Sequence, residues 1–355
     1  MREFFEKYRE RIGTIALFSG FFIDAFTLTR IDRLYDNVVL FLYLCIVGLG
    51  IILINVIESG RLKGKIFKNI HAFLPTVVQF AFGGIFSGFS IFYFKSSSFG
   101  INIIFAAILF GLMIGNEFLK EKYKKIIFQV SFFYFALFSY LIFSVPVFSS
   151  KLGAGVFLIS GAFSLIGIYL FIMIIRTFLP VKFKETKSSL YKIIGGIFIV
   201  MNILYFANII PPIPLSIKQI DTYHFVERDG SDYYVLEEVL PWYSVFDPRD
   251  VVHITEGESV YVFSSVFSPT DLNTNVVHNW QYFDEGTDKW VSLGKIYFSI
   301  VGGRDGGYRG YTKKSNVFSG RWRVDVETER GQVIGRDTFS IEVVPEKVLL
   351  QEVKI

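Results

Sequence analysis

The sequence predicts an α-helical polytopic membrane bundle followed by an all-β, immunoglobulin-like antiparallel sandwich. The 355 residues are 52% hydrophobic and include 41 phenylalanines, and the charged fraction of 19% is low beside the roughly one quarter that is usual in soluble domains. The mean hydropathy is +0.46. Residues 1–210 hold 21 Lys and Arg against 10 Asp and Glu, whereas residues 211–355 hold 15 against 22. Two parts in two environments are therefore expected.

Long apolar segments fill the first part of the chain. A helix needs about 20 apolar residues to cross a bilayer. Seven segments reach or approach that length, at residues 12–28, 38–57, 70–93, 99–119, 126–148, 153–175 and 193–210. Asp24 interrupts the first segment and no small-residue cleavage site precedes Arg30, so we expect an uncleaved first helix rather than a signal peptide. The prediction is a transmembrane domain over residues 1–210.

The positive charges predict the orientation of this domain, because Lys and Arg mark cytoplasmic ends of membrane helices. Seventeen of them lie at the N-terminus and in alternate loops, and four lie in the opposite loops: Arg30, Arg33, Lys95 and Lys151. If the first segment did not cross the membrane, the basic clusters at residues 61–68 and 120–125 would lie on the extracytoplasmic side, against this rule. We therefore expect a multi-pass protein of the plasma (inner) membrane, with a cytoplasmic N-terminus and an extracytoplasmic C-terminal domain.

Four polar residues inside these segments need a partner or a water-filled cavity. Asp24 can be a proton or cation site, or a structural carboxylate near the outer interface. Asn116 and Glu117 end the fourth segment beside lysines, which favours an interfacial cap or salt bridge. Gln79 is an isolated amide, typical of hydrogen bonding between helices.

Glycines at four-residue spacing predict close contacts between helices. Gly84 and Gly88 form one such pair, and Gly111 and Gly115 form another. Since no inverted repeat is visible, helix packing is favoured over a transporter site.

The pattern changes after Ile210. The stretch Pro211–Pro214 ends the last helix and predicts a stiff linker over residues 211–222. Residues 321–327 alternate between charged and apolar side chains, which is typical of a strand with one buried face. The β-rich runs are residues 223–228, 232–238, 259–267, 275–283, 295–301, 320–328 and 332–344. Seven or eight strands predict an exported sandwich over residues 223–355.

Two clusters in the β region are candidate binding residues. His278 and Trp280 share one strand face; Trp280 is expected in the core, and His278 is expected to hydrogen-bond a neighbouring strand. A glycine-rich loop follows at residues 302–311, and its arginines can bind an anion or pair with local acids at an edge strand. The candidates on this loop are Arg304, Tyr308, Arg309 and Tyr311.

Common catalytic and metal-binding signatures are missing from the sequence. The histidines show no His-Glu-x-x-His spacing, and Cys45 is the single cysteine, which argues against a metal site. Walker and Gly-x-Ser-x-Gly motifs are also missing. We therefore expect no catalytic residue and no cofactor. The basic residues serve membrane topology, so nucleic-acid binding is not expected.

Several motifs resemble the bacterial family catalogued as domain of unknown function 2914. The C-terminal motifs are residues 262–271, 278–280, 302–304, 308–309 and 320–325, and those of the membrane part are residues 36–43, 79–88, 115–118 and 138–143. The resemblance implies the same two-part architecture. It implies no activity and supplies no catalytic residue.

These observations favour a non-enzymatic envelope protein. In this hypothesis the bundle lies in the lipid bilayer, and the sandwich binds an extracytoplasmic glycan, cell-wall polymer or protein. The alternative is a small-solute transporter or channel whose pathway includes Asp24 and Gln79. A membrane-embedded enzyme would need ionisable residues converging at one interface, and the sequence shows no such set.

Overall fold

The architecture was obtained as a computed structural model. It describes residues 21, 22, 24, 26, 28, 34–62, 64–96, 103–118, 125–212, 214–239, 251–268, 273–301 and 307–355. Two compact units divide between Pro214 and Leu215. The first unit is helical, and the second is built from strands.

Six helices form the first unit among the described residues. They are α1 Leu34–Glu58, α2 Lys65–Lys95, α3 Ile103–Phe118, α4 Ile126–Ser149, α5 Ala154–Phe178 and α6 Pro180–Phe206. All except α3 are long and apolar enough to cross a membrane. On α5, Ile159, Phe163 and Ile166 are each at least half exposed. Contact of such apolar surface with water is unfavourable, whereas its contact with lipid is not. This region is therefore a membrane-embedded bundle.

Among the described residues the helix count is six, where the prediction was seven. The predicted helix at 12–28 lies largely outside the described residues. The helix predicted at 193–210 begins earlier, at Pro180, which occupies the first turn. Proline suits that position because its fixed φ matches a helix and its missing N–H has no partner there. The first half of this helix contains lysines, so it was not recognised as part of an apolar segment.

Close packing of α1 and α2 depends on glycine. A Cβ atom at Gly84 would lie 2.8 Å from the ring of Tyr43, and one at Gly88 would lie 2.7 Å from Leu40. These distances confirm the packing predicted for the first glycine pair. A Cβ at Gly111 or at Gly115 would meet no atom within 4 Å, so the packing predicted for the second pair is wrong among the described residues.

Eleven strands form the second unit among the described residues. They are β1 Ser216–Tyr223, β2 Phe225–Asp229, β3 Asp232–Glu238, β4 Val251–Ile254, β5 Val260–Phe267, β6 Asn273–Asp284, β7 Lys289–Val301, β8 Tyr308–Lys314, β9 Gly320–Thr328, β10 Val333–Val343 and β11 Leu350–Lys354. The sheets have the orders β1-β5-β8, β4-β10-β9-β6-β7 and β11-β3-β2. Among the described residues, every strand pair is antiparallel except β4–β10, which is parallel. The prediction of a purely antiparallel domain is corrected at this pair.

The three sheets pack as layers, with β1-β5-β8 in the middle. Every residue of β5 is buried, because both of its faces are covered. Val260 and Val262 pack with Trp280 and Trp322 of the five-stranded sheet. Tyr261 and its neighbour Phe263 pack against β2 and β3 on the other side. This three-layer packing differs from the two-layer sandwich that we predicted.

Four strands were not predicted. β1 lies within the segment assigned to the linker, and β8 occupies the second half of the predicted glycine-rich loop. Most of β1 is half-buried rather than alternately buried and exposed, so it lacks the period of two on which the prediction relied. β4 and β11 are only 4 and 5 residues long.

Candidate binding face on the five-stranded sheet

The five-stranded sheet has one apolar face and one polar face. Trp322 and Val324 of β9 face the middle sheet and are fully buried. Because side chains alternate along a strand, Arg321, Arg323 and Asp325 lie on the opposite side. This confirms the alternation predicted for residues 321–327.

Strand register places the outward side chains in rows across the sheet. One row runs through Arg336, Asp325, Asn279 and Lys295, which pair from β10 through β9 and β6 to β7. We call the whole surface the arginine face. It consists of Asn279, Gln281, Phe283, Trp290, Lys295, Arg321, Arg323, Asp325, Glu327 and Arg336.

A buried carboxylate organises the centre of the arginine face. Asp325 is 2% exposed, and its two oxygens accept hydrogen bonds from Nε and Nη2 of Arg336, the second at 2.8 Å. Gln281 donates to the same carboxylate at 3.1 Å and accepts from Nη2 of Arg323 at 2.8 Å. The hydrogen bond with Asp325 raises the pKa of Arg336. The four side chains form one connected network.

A second carboxylate, Glu327, is held in the same way. It is buried and accepts from Asn279 Nδ2 at 2.9 Å and from Lys295 Nζ at 3.1 Å. Ser292 of β7 donates to Asn279 Oδ1 at 2.6 Å. Both buried acids therefore already have a cationic partner.

Aromatic rings hold two arginines at one end of the face. The guanidinium carbon of Arg323 lies 4.3 Å from the ring centre of Trp290. That of Arg321 lies 4.7 Å from the ring centre of Phe283 and 5.8 Å from that of Trp290. These are cation–π distances. Arg321 is exposed, and among the described residues its guanidinium has no carboxylate within ion-pair distance.

His278 and Trp280 lie on the other side of β6, between two sheets, and both are fully buried. His278 hydrogen-bonds Ser264 at 2.8 Å through Nε2 and Thr312 at 2.9 Å through Nδ1. Trp280 Nε1 donates to the same Thr312 hydroxyl at 3.0 Å. Burial lowers the pKa of His278 to about 3, so the ring is neutral at pH 7. Neither residue offers surface to a ligand.

The described part of the predicted glycine-rich loop belongs to β8. Arg309 Nη1 donates to the main-chain oxygen of Ile355 at 3.2 Å. Tyr311 is 39% exposed, and its ring lies 6.3 Å from that of Tyr233. Tyr308 is half-buried. Arg304 lies outside the described residues, and the other three predicted loop residues lie on β8.

Four polar residues were predicted within the bundle, and the structure describes the side chains of two of them. Asp24 is partly buried, and Gln79 lies on α2. Asn116 and Glu117 lie in the last turn of α3; their side chains are outside the described part of the structure.

A polar contact that the sequence did not reveal joins three helices of the bundle. Asn55 of α1 donates to Gln129 Oε1 of α4 at 2.6 Å and accepts from Lys182 Nζ of α6 at 2.8 Å. Lys182 also lies 3.2 Å from Glu58. Asn55 and Gln129 are each 1% exposed, so this is a buried contact between helices.

A further charged cluster links β3 to β4. Glu238 Oε1 lies 3.0 Å from His224 Nε2, and Glu238 Oε2 lies 2.9 Å from His253 Nδ1. Burial by itself would raise the pKa of Glu238, but hydrogen bonds from both imidazoles and from the His253 backbone N–H lower it to about 2. Within the described residues, no group of three or more His, Cys, Asp or Glu side chains is arranged to hold a metal ion.

The arginine face was visible in the sequence only as an alternating strand. Charges alternating along one strand are most often a solvated surface, and the partners of Arg323 and Asp325 come from strands up to 44 residues away. The arginine face differs from a solvated surface in its buried acid. The sequence does not show this burial, because it arises only in the folded sheet.

These features define a polytopic helical membrane protein with a β-rich C-terminal domain. Residues 273–341 match the family described as Protein of unknown function (DUF2914), which confirms the resemblance for this region. The match runs from β6 to β10 and includes every member of the arginine face. It does not extend to the motifs of the membrane part.

No curated protein matches the sequence. Among solved structures, a β-glucosidase from Listeria innocua is 15% identical with a TM-score of 0.20, and the similarity covers 33% of this chain and 17% of the glucosidase. The alkylpurine DNA glycosylase AlkC of Pseudomonas fluorescens is 9% identical with a TM-score of 0.22, over 89% of this chain and 99% of the glycosylase. Both TM-scores are too low to carry any argument.

Proposed function

We propose that this chain is a non-enzymatic envelope protein whose C-terminal domain binds a glycan or cell-wall polymer on the arginine face. The observation that carries the proposal is the stacking of Arg321 and Arg323 on Trp290 and Phe283. Rings and guanidinium groups held on a rigid sheet are pre-organised, so little conformational entropy is lost when a ligand binds. Arg323 is also held by hydrogen bonds to Gln281, and Arg321 is held by the two rings.

The proposal includes the orientation of the protein. The bias of Lys and Arg toward alternate loops supports a cytoplasmic N-terminus and an extracytoplasmic C-terminal domain. Lys182, Lys184 and Lys187 lie in the first half of α6, at the end that this orientation assigns to the cytoplasm. Transport is not part of the proposal, which rests on the β-rich domain and not on Asp24 or Gln79.

Binding of the full-length protein in lipid nanodiscs to a panel of immobilised envelope polymers tests this function. We expect retention on at least one polymer, and a loss of at least tenfold in affinity for Trp290→Ala, because its ring supports both arginines. Phe225→Ala is the matched control, since it removes a 40% exposed ring from β2 in a different sheet. Retention no better than that of empty nanodiscs on every polymer would refute the proposal.

A further inference from the structure

The charges of the arginine face indicate which polymer it takes. The face carries four cations, Arg321, Arg323, Lys295 and Arg336, and two acids, Asp325 and Glu327. Both acids are buried, and they are neutralised by Arg336 and Lys295. The two positive charges that are not neutralised therefore lie at the end of the face that contains Trp290.

Of the two remaining arginines, Arg321 is the available one. Arg323 uses Nε and Nη2 to donate to Gln281 Oε1, at 3.1 and 2.8 Å. The contacts of Arg321 among the described residues are with the rings of Phe283 and Trp290. A guanidinium that stacks through its flat face keeps its N–H groups free at the edge, where two parallel hydrogen bonds to a carboxylate can form.

The neighbouring row supplies hydroxyl groups. Thr338 and Ser292 lie at the two ends of the row that contains Arg323 and Gln281, and both are exposed. Ser292 donates its proton to Asn279 but its oxygen can still accept. Hydroxyl groups both donate and accept hydrogen bonds, so the two side chains suit the hydroxyls of a sugar. A cation beside exposed hydroxyls matches a sugar that carries an acid group.

We propose that the ligand of the arginine face is an acidic polysaccharide, and that Arg321 binds a carboxylate of its sugar units through its guanidinium edge. This inference rests on the proposed function, because it names the class of polymer that the same surface takes.

The test compares polygalacturonate with its fully methyl-esterified form, which has the same chain without the charge. With the full-length protein in nanodiscs, we expect polygalacturonate to bind at least about tenfold more tightly, as a charge-assisted hydrogen bond would produce. Arg321→Gln should remove this preference, and Arg321→Lys should restore only part of it because lysine lacks the planar fork. Arg228→Gln is the control; this exposed arginine of the β2–β3 hairpin donates to Gly230.

The outcomes separate this inference from the proposed function. Equal binding of both forms, unchanged by Arg321→Gln but weakened by Trp290→Ala, would overturn the acidic ligand and leave polymer binding in place. Failure of the protein to bind any envelope polymer would overturn both. Polyphosphate binding as tightly as polygalacturonate would also overturn the inference, because it would show recognition of charge without sugar.

Discussion

Asp325 and Arg336 form a bidentate ion pair between adjacent strands, with Arg336 Nη2 lying 2.8 Å from Asp325 Oδ2. The Asp325 side chain is 3% exposed and the Arg336 side chain is 29% exposed, so the acid is buried and the arginine is partly buried. A buried pair adds little net stability, since desolvation offsets attraction, but loss of one partner leaves an uncompensated charge. The pair therefore specifies the positions of β9 and β10 more than it strengthens the domain.

Asp325→Ala should destabilise the C-terminal domain by about 1–3 kcal/mol, because it leaves the partly buried Arg336 and the amide of Gln281 without their acceptor. All four tryptophans lie beyond residue 240. Tryptophan fluorescence during denaturant unfolding of the full-length protein therefore reports this domain and not the bundle.

The matched control is Asp232→Asn, which breaks the exposed contact of 2.6 Å with Lys354. Solvent screens an exposed pair of this kind, so the denaturant midpoint of this variant should barely move. Equal shifts for the two variants would contradict the role given to Asp325.

The buried His278 should make the stability of this domain depend on pH. Its pKa is lowered from 6.5 to about 3 by burial, so below pH 6.5 the unfolded chain binds a proton that the folded domain does not. Stability should fall by about 1.4 kcal/mol for each pH unit from 6.5 down toward 3. Denaturant midpoints by tryptophan fluorescence at pH 7, 6 and 5 measure the slope.

His278→Gln is the comparison for this slope, because an amide can still bond to Ser264 and Thr312 but does not titrate. A variant with the slope of the parent would show that another group is responsible. Glu238 acts in a separate window: its pKa is lowered from 4.5 to about 2, so its contribution is present above pH 4.5 and is lost between 4.5 and 2.

The positions of seven strands in the C-terminal part were predictable from the sequence, whereas the number of layers was not. The sequence of β9 alternates strictly between charged and apolar residues, and the strand was placed at residues 320–328 as observed. The prediction of a single buried face is wrong at Asp325 and Glu327, which are buried as well. β5 is buried on both faces, because a third sheet packs against the face that points away from the five-stranded sheet. The sequence of β5 alone does not reveal this third sheet. The layer count depends on this second contact, and no local pattern encodes it.

In the bundle, the contacts of Asn55 should be worth more than those of an isolated amide. Asn55→Ala removes bonds to α4 and α6, and we expect a loss of about 0.6–2 kcal/mol, the range for polar contacts between membrane helices. Asn202→Ala is the control, because Asn202 donates to Phe198 in its own helix. The measurement is thermal stability in detergent by size-exclusion chromatography; equal losses would argue against an interhelical role.

The two glycine pairs should respond differently to alanine. Gly84→Ala places a methyl group 2.8 Å from the Tyr43 ring, and the overpacking should cost about 1–3 kcal/mol. Gly111→Ala meets open space and replaces glycine by the best helix former, so stability should stay equal or rise by up to about 1 kcal/mol. The same chromatographic assay compares them. Equal destabilisation would show that the spacing alone, rather than the contact, matters.

The candidate residues show what a sequence can and cannot place. Trp280 was expected in the core and lies there, and His278 was expected to bond a neighbouring strand and bonds two. Arg309 was a ligand candidate because arginine in a glycine-rich stretch looks available. Its partner is Ile355, 46 residues away, and such a contact becomes visible only in the folded sheet.

Membrane orientation decides whether the arginine face can meet a cell-wall polymer at all. Single cysteines replacing Ser59, Lys151 and Ser315, each in a Cys45→Ser background, are suitable reporters because all three positions are exposed. An impermeant thiol reagent on intact cells should label positions 151 and 315 and spare position 59, since Lys and Arg cluster just after residue 59. Labelling at 59 with protection at 315 would place the β-rich domain in the cytoplasm. In that orientation an envelope polysaccharide could not reach Arg321, and its ligand would have to be a cytoplasmic anion.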